Sequence, residues 1–167
     1  MLMKKTVFLF LIVALLSACA VSEQTKMERA ARKELLAKQV REGIENRHFT
    51  VDVRMAHPLR GRPLQLSSPY DLEVKGDTIV SYLPYFGRAY YVPYGGGKGL
   101  NFVGKITSYE VAQGRKGEYL ISMGVDNEED NLLYLVTLFE SGSATVDVAS
   151  KNRDRNYFTG DFNPDAK

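Results

Sequence analysis

One cysteine in 167 residues excludes an intramolecular disulfide framework and a Cys-based zinc knuckle. Two histidines leave little for a His-rich metal site. No apolar run approaches the roughly 20 residues that a membrane-spanning helix needs. The longest, Val7–Leu16, has ten. Neither a Gly-x-Ser-x-Gly elbow nor a Ser-x-x-Lys motif is present. Strands and helices do not alternate along the chain, which disfavours a Rossmann-type parallel sheet.

What is present begins at the N-terminus. Lys4 and Lys5 precede the apolar run, and small residues follow it. A short basic region, a short apolar region and a small-residue break are the layout of a secretory signal peptide. Leu16-Ser17-Ala18-Cys19 resembles a bacterial lipobox. That resemblance implies a signal peptide over residues 1–18 and an acylated Cys19 as the first mature residue, holding the protein to a membrane. Two or more acyl chains anchor stably where one does not. Simple cleavage after Ala18, leaving a free thiol, is the alternative. Removing residues 1–18 takes away two of the 22 basic residues and no acid, leaving 20 against 20. A neutral mature chain argues against nucleic acid as partner, because phosphate binding needs a concentrated positive field. Ala20 after the cysteine favours the outer membrane, with periplasmic face and cell surface both open.

Residues 22–46 predict a helix rich in Ala, Leu, Lys, Glu and Arg. Ala31, Leu35/Leu36, Val40 and Ile44 form a narrow apolar stripe, and Glu28–Arg32 and Glu34–Lys38 are candidate i,i+4 pairs. Residues 19–47 then form a lipid-anchored helical spacer or a helix packed on the sheet. From His48 the period becomes two: Phe49, Val51 and Val53; Tyr70, Leu72 and Val74; Tyr119, Ile121, Met123 and Val125; Ala144, Val146 and Val148. Such alternation marks strands with one wet face. Residues 132–139 are apolar on both faces and read as a more buried strand. Turns at residues 75–77, 113–117, 126–131, 140–143 and 151–156 separate the strands. The expectation is an all-β domain over 48–167, an antiparallel sandwich or open barrel of about eight strands.

Residues 81–100 do not fit that rhythm. They read SYLPYFGRAYYVPYGGGKGL. Tyr82, Tyr85, Phe86, Tyr90, Tyr91 and Tyr94 cluster here with Arg88. Pro84 and Pro93 cannot donate ladder hydrogen bonds. Tyrosine offers an apolar ring with a polar tip, suited to stacking on sugars or gripping a peptide, and Arg88 could clamp a carboxylate. These residues are the candidate ligand or partner surface. The alternative is a loop folded over an open barrel end, its rings sealing the core. The glycine run lacks the spacing of a phosphate-binding loop.

The stretch from Tyr82 to Tyr90, followed by Pro93-Tyr94-Gly95-Gly96-Gly97, resembles the signature of a Bacteroidota lipoprotein family known only as a domain of unknown function. Pro58-Leu59-Arg60-Gly61-Arg62, Gly76-Asp77, Asn152-Arg153 and Phe158-Thr159-Gly160 fit the same family. Tyr91 departs from it, where a small residue is expected. The resemblance implies a compact all-β domain on a lipid anchor in the cell envelope. It supplies no activity, substrate, cofactor or catalytic residue.

Other constellations carry less. Asp126, Glu128 and Asp130 have the one-three-five spacing of a calcium loop, but Asn131 and Thr137 stand where Gly and Glu are needed. His48 and His57 are expected on opposite faces of one strand, His57 inward, which argues against a shared metal. Arg60, Arg62 and Arg88 offer a cationic pocket, against the plainer reading of solvated loop charge. The leading expectation is a non-catalytic binding or scaffolding module meeting a glycan, peptide or protein through residues 81–99, with no cofactor. A hydrolase using a carboxylate pair among Asp71, Glu73 and Glu110 is the alternative. A small barrel holding an apolar ligand is the third reading, and it needs an empty interior.

Overall fold

The computed structural model describes the backbone of residues 2–91, 97–115, 117–127 and 129–164, and side chains from Gln24 on. One helix, α1 (Leu2–Glu45), precedes eight strands. These are β1 (His48–Pro58), β2 (Leu64–Lys75), β3 (Thr78–Leu83), β4 (Leu100–Gln113), β5 (Glu118–Asp126), β6 (Asn131–Phe139), β7 (Ser143–Ser150) and β8 (Asn156–Asn163). Each strand pairs antiparallel with the next, and β8 returns to β1, so the sheet is a closed barrel. The expected sandwich or open barrel is thus a closed barrel, in which the short β3 leaves β2 before Asp71 and β4 beyond Ile106 without a ladder partner on that side.

The chain divides into two compact units, residues 1–35 and 36–167. The first consists of the helix as far as Leu35. Its expected pair Glu28–Arg32 is not among the ion pairs of the described residues; in the second unit Lys38 meets Glu42 at 3.7 Å. In that second unit, Val40 and Ile44 are buried against the strands. The Tyr109 hydroxyl donates to the Ile44 carbonyl at 3.0 Å. The last turns of α1 therefore plug the barrel end that carries the short turns β2–β3, β4–β5 and β6–β7. Arg47, at φ 51°, links helix to barrel, and its guanidinium pairs with Asp77 at 2.9 Å.

Eight strands enclose just enough room for side chains. Phe49, Leu72, Ile79, Met123, Tyr134, Leu138 and Phe158 fill it. The apolar-ligand reading thus meets a filled interior among the described residues. One buried polar chain crosses this core: Tyr134 donates to Ser81 Oγ at 3.1 Å, and Ser81 donates to the Leu100 carbonyl at 2.7 Å. Low local dielectric makes such a chain costly to break. Burial pushes the Tyr134 phenol far above its ordinary pKa, partly opposed by the Ser81 hydrogen bond and the charge of Arg153.

Two bulges correct the parity of the simple alternation. Register shifts occur between Val53 and Met55 and between Ile106 and Ser108. A bulge inserts one residue and reverses the faces beyond it. His57 consequently lies outside, not inside, with its ring 5.2 Å from that of Tyr157 and its Nε2 3.1 Å from Thr159 Oγ1. Strand β6 also departs from expectation. Leu132, Tyr134, Val136 and Leu138 are buried, but Leu133 and Leu135 face outward and are exposed. A closed barrel has one buried face, so an apolar run on both faces leaves half its residues in contact with solvent.

Candidate functional site

The loops β1–β2, β3–β4, β5–β6 and β7–β8 gather at the end opposite the Val40–Ile44 plug. The segment from Pro84 to Tyr91, in the β3–β4 loop, lies across this end as a strap. The β7–β8 loop holds it at several points. Asn156 Oδ1 accepts from Phe86 N at 2.8 Å, and Asp154 Oδ2 accepts from Arg88 N at 3.0 Å. Tyr90 N donates to the Asn152 carbonyl at 2.7 Å. Ala89 and Arg153 form an isolated antiparallel bridge. The strap is therefore nearly a ninth strand, added to a loop instead of to the barrel.

Asp154 is the centre of this attachment. Oδ1 accepts the Tyr90 hydroxyl at 2.5 Å. The Asp154 amide donates to the Arg88 carbonyl at 3.0 Å and to the Tyr85 hydroxyl at 3.1 Å. Tyr85 in turn donates to the Arg88 carbonyl at 2.6 Å. The Tyr90 hydrogen bond, then the Arg88 amide, hold the Asp154 carboxyl below its ordinary pKa, with Arg60 and Arg88 adding charge. Gly87 permits the close approach: its φ is +139°, and a Cβ there would stand 2.8 Å from Asp154 Cβ.

The tyrosine cluster divides. Tyr85 and Phe86 are half-buried and pack on the core, as the sealing alternative requires. Tyr90 and Tyr91 are 71% and 61% exposed, as a recognition surface requires. Tyr82 is apart from both: it faces outward on β3, its ring 5.2 Å from that of Tyr70. Tyr94 and the glycines at 95 and 96 lie outside the described residues, as do Glu128 and the side chain of Cys19. Between the strap and the β1–β2 loop is an open cleft of about 550 Å³, lined by Leu59, Arg60, Arg62, Phe86, Arg88 and Asp154, among others. The structure thus brings together the three arginines that the sequence offered from two separate segments.

Beneath the strap sits Arg153, which is buried. Its guanidinium is 3.5 Å from Glu129 Oε2, 3.7 Å from Asp130 Oδ2 and 6.0 Å from the centre of the Tyr85 ring. Asp130 also accepts from Ser150 Oγ and from Asn152 Nδ2. The Asp130 carboxylate is therefore committed to the protein's own donors, with Arg153 supplying the cation. Among the described residues no group of His, Cys, Asp or Glu is arranged to hold a metal.

The carboxylates of the hydrolase alternative are not all gathered. Asp71 and Glu73 share the outer face of β2, and Asp71 stands directly opposite Asp52. Burial, then Glu73, then Asp52 raise the Asp71 pKa. Glu73 lies in one row with Val103 of β4 through Val80. Glu110 is seven residues further along β4, roughly 23 Å away at strand rise.

The family model described as Domain of unknown function (DUF4251) matches residues 31–162. The chain belongs to this family. The match begins inside α1, before its buried turns, and ends in β8. A crystal structure of a DUF4251 family protein from Bacteroides eggerthii aligns with a TM-score of 0.59 at 13% identity, covering 77% of this chain and 87% of that one. At that identity the likeness shows the shared fold. No curated protein matches. Sequence reasoning missed Asn152, Asp154 and Asn156 as partners of the strap. The signal that could have found them is the polar run from Asn152 to Asn156, too dense in Asn, Asp and Arg for a bare turn.

Proposed function

We propose that this protein is a non-catalytic binding module of the bacterial cell envelope, and that its long-loop end is the recognition surface. The reading includes a lipid anchor at Cys19 of the kind found in Bacteroidota lipoproteins, in the outer membrane. The supporting observation is the strap. A loop that only sealed the core would turn its rings inward, yet this one is bolted down by backbone and carboxylate contacts and still leaves Tyr90 and Tyr91 in solvent. Rigid, exposed aromatic rings give contact area at low entropic cost. The neutral mature chain supports a glycan, peptide or protein ligand over nucleic acid.

The test is an array of oligosaccharides and peptides probed with the full chain and with Tyr91→Ala. The Tyr91 side chain is 61% exposed and makes no hydrogen bond or ring contact among the described residues, so the variant should keep its stability. Expected is ligand binding by the parent, reduced at least about tenfold in the variant at the same Tm. Binding unaffected by Tyr91→Ala, or an unfolded variant, would overturn the reading.

A second reading keeps one observation in its favour. Asp71, its pKa raised by burial and then by Glu73 and Asp52, stands directly opposite Asp52 on the outer face of β1 and β2. A glycan hydrolase using this pair would lose all turnover on Asp71→Asn.

A further inference from the structure

We propose that the cleft between the strap and the β1–β2 loop is the subsite for the anionic group of an acidic oligosaccharide, whose neighbouring sugar rings lie on Tyr90 and Tyr91. This rests on the recognition role proposed for the same end and names its ligand class. Three guanidinium groups line the cleft, from Arg60 and Arg62 on one side and Arg88 on the other. None of the three makes an ion pair among the described residues. The one carboxylate in the lining, Asp154, has both oxygens occupied by Tyr90 and by the Arg88 amide. It feels the charge of Arg60 and Arg88, and one carboxylate against three guanidinium groups leaves the cleft an excess of two positive charges. Guanidinium forks match carboxylate and sulfate geometry.

The rest of the lining selects the body of the ligand. Leu59 is 66% exposed at the lip, and Leu64 and Phe86 add apolar wall. An anion with an amphipathic ring body suits that mixture better than a bare inorganic ion. Peptides commonly gain affinity by adding a strand to a sheet edge. The three arginines of the cleft lie in loops, not along a strand edge to which a peptide could add. The exposed tyrosine faces beside the cleft instead suit a row of sugar rings, whose C–H faces stack on aromatics. Because only the Arg88 backbone holds the strap, the Arg88 side chain is free for a ligand, and its removal leaves the attachment to Asp154 intact.

The experiment measures binding of the full chain to tetragalacturonate and to its methyl ester, which carries the same sugars without charge, alongside acidic peptides. Expected is at least about tenfold tighter binding of the acid, an advantage that shrinks as salt rises from 50 to 500 mM. The double variant Arg60→Gln/Arg88→Gln should abolish that advantage, with Tyr90 amide protection unchanged, while Tyr91→Ala weakens acid and ester alike. Equal binding of acid and ester, lost only in Tyr91→Ala, would overturn the anionic subsite and leave the recognition surface standing. Preferential binding of acidic peptides would also overturn it. Binding of no probe by the parent chain would sink both readings.

Discussion

Gly87→Ala isolates the contact on which the strap depends. Gly87 and Gly61 both have positive φ, +139° and +117°. At Gly61 a Cβ would meet nothing within 4 Å. At Gly87 it would lie 2.8 Å from Asp154 Cβ and 3.2 Å from both Asp154 Oδ2 and the Tyr85 hydroxyl. An L side chain at so large a positive φ costs roughly 1–3 kcal/mol. Forcing a methyl into occupied space adds about 1–3 kcal/mol. Gly61→Ala should show the first cost alone, and Gly87→Ala both, about 2–6 kcal/mol in total. The strap belongs to no barrel strand, so it can release that strain by detaching. Native-state hydrogen exchange reads this directly. Protection of the Arg88, Tyr90 and Asp154 amides should fall at least about thirtyfold in Gly87→Ala, with core amides such as Val136 unchanged. Gly61→Ala should leave the three strap amides as they were. Full protection in Gly87→Ala would show that the strap is not seated against Asp154. Equal loosening by both variants would make φ strain the cause and refute the contact argument.

Three further outcomes follow from the same structure. Ser81→Ala strands the buried Tyr134 hydroxyl and the Leu100 carbonyl together and should cost about 1–3 kcal/mol, more than Tyr134→Phe at about 1 kcal/mol, by chemical denaturation. Ile44→Ala empties the plug and should cost about 2–5 kcal/mol, whereas Leu35→Ala, at a site 57% exposed, should stay within about 0.5 kcal/mol. Equal effects at the two positions would contradict the division of the helix. Asp71 has a raised pKa in the fold, so its contribution is favourable when protonated and is lost as pH rises through that pKa. Asp71→Asn should therefore raise Tm at pH 7 and leave it unchanged near pH 3, below the ordinary carboxylate value; an unchanged Tm at pH 7 would refute the burial and charge argument.

The strands were legible because inward residues repeat every second position, as in Phe49, Val51 and Val53. Closure was not, since it depends on register between strands, and the bulges between Val53 and Met55 and between Ile106 and Ser108 leave no mark in the hydropathy pattern. The same bulge put His57 on the outer face. Leu133 and Leu135 misled for a related reason: apolar residues on both faces read as burial, but a single-layer barrel cannot bury both. The aromatic strap stood out by composition. Its exposure did not, because burial of Tyr85 and exposure of Tyr91 are decided by Asn152, Asp154 and Asn156, more than sixty residues away in sequence.

Everything proposed for this protein depends on its long-loop end meeting a ligand in the envelope. In-cell photo-crosslinking tests it most directly, with the probe at Tyr91 and, as control, at Val103, which is equally exposed on the outer wall of β4. A discrete saccharide adduct is expected from position 91 and none from position 103. A silent probe at 91, or the same products from both positions, would contradict it.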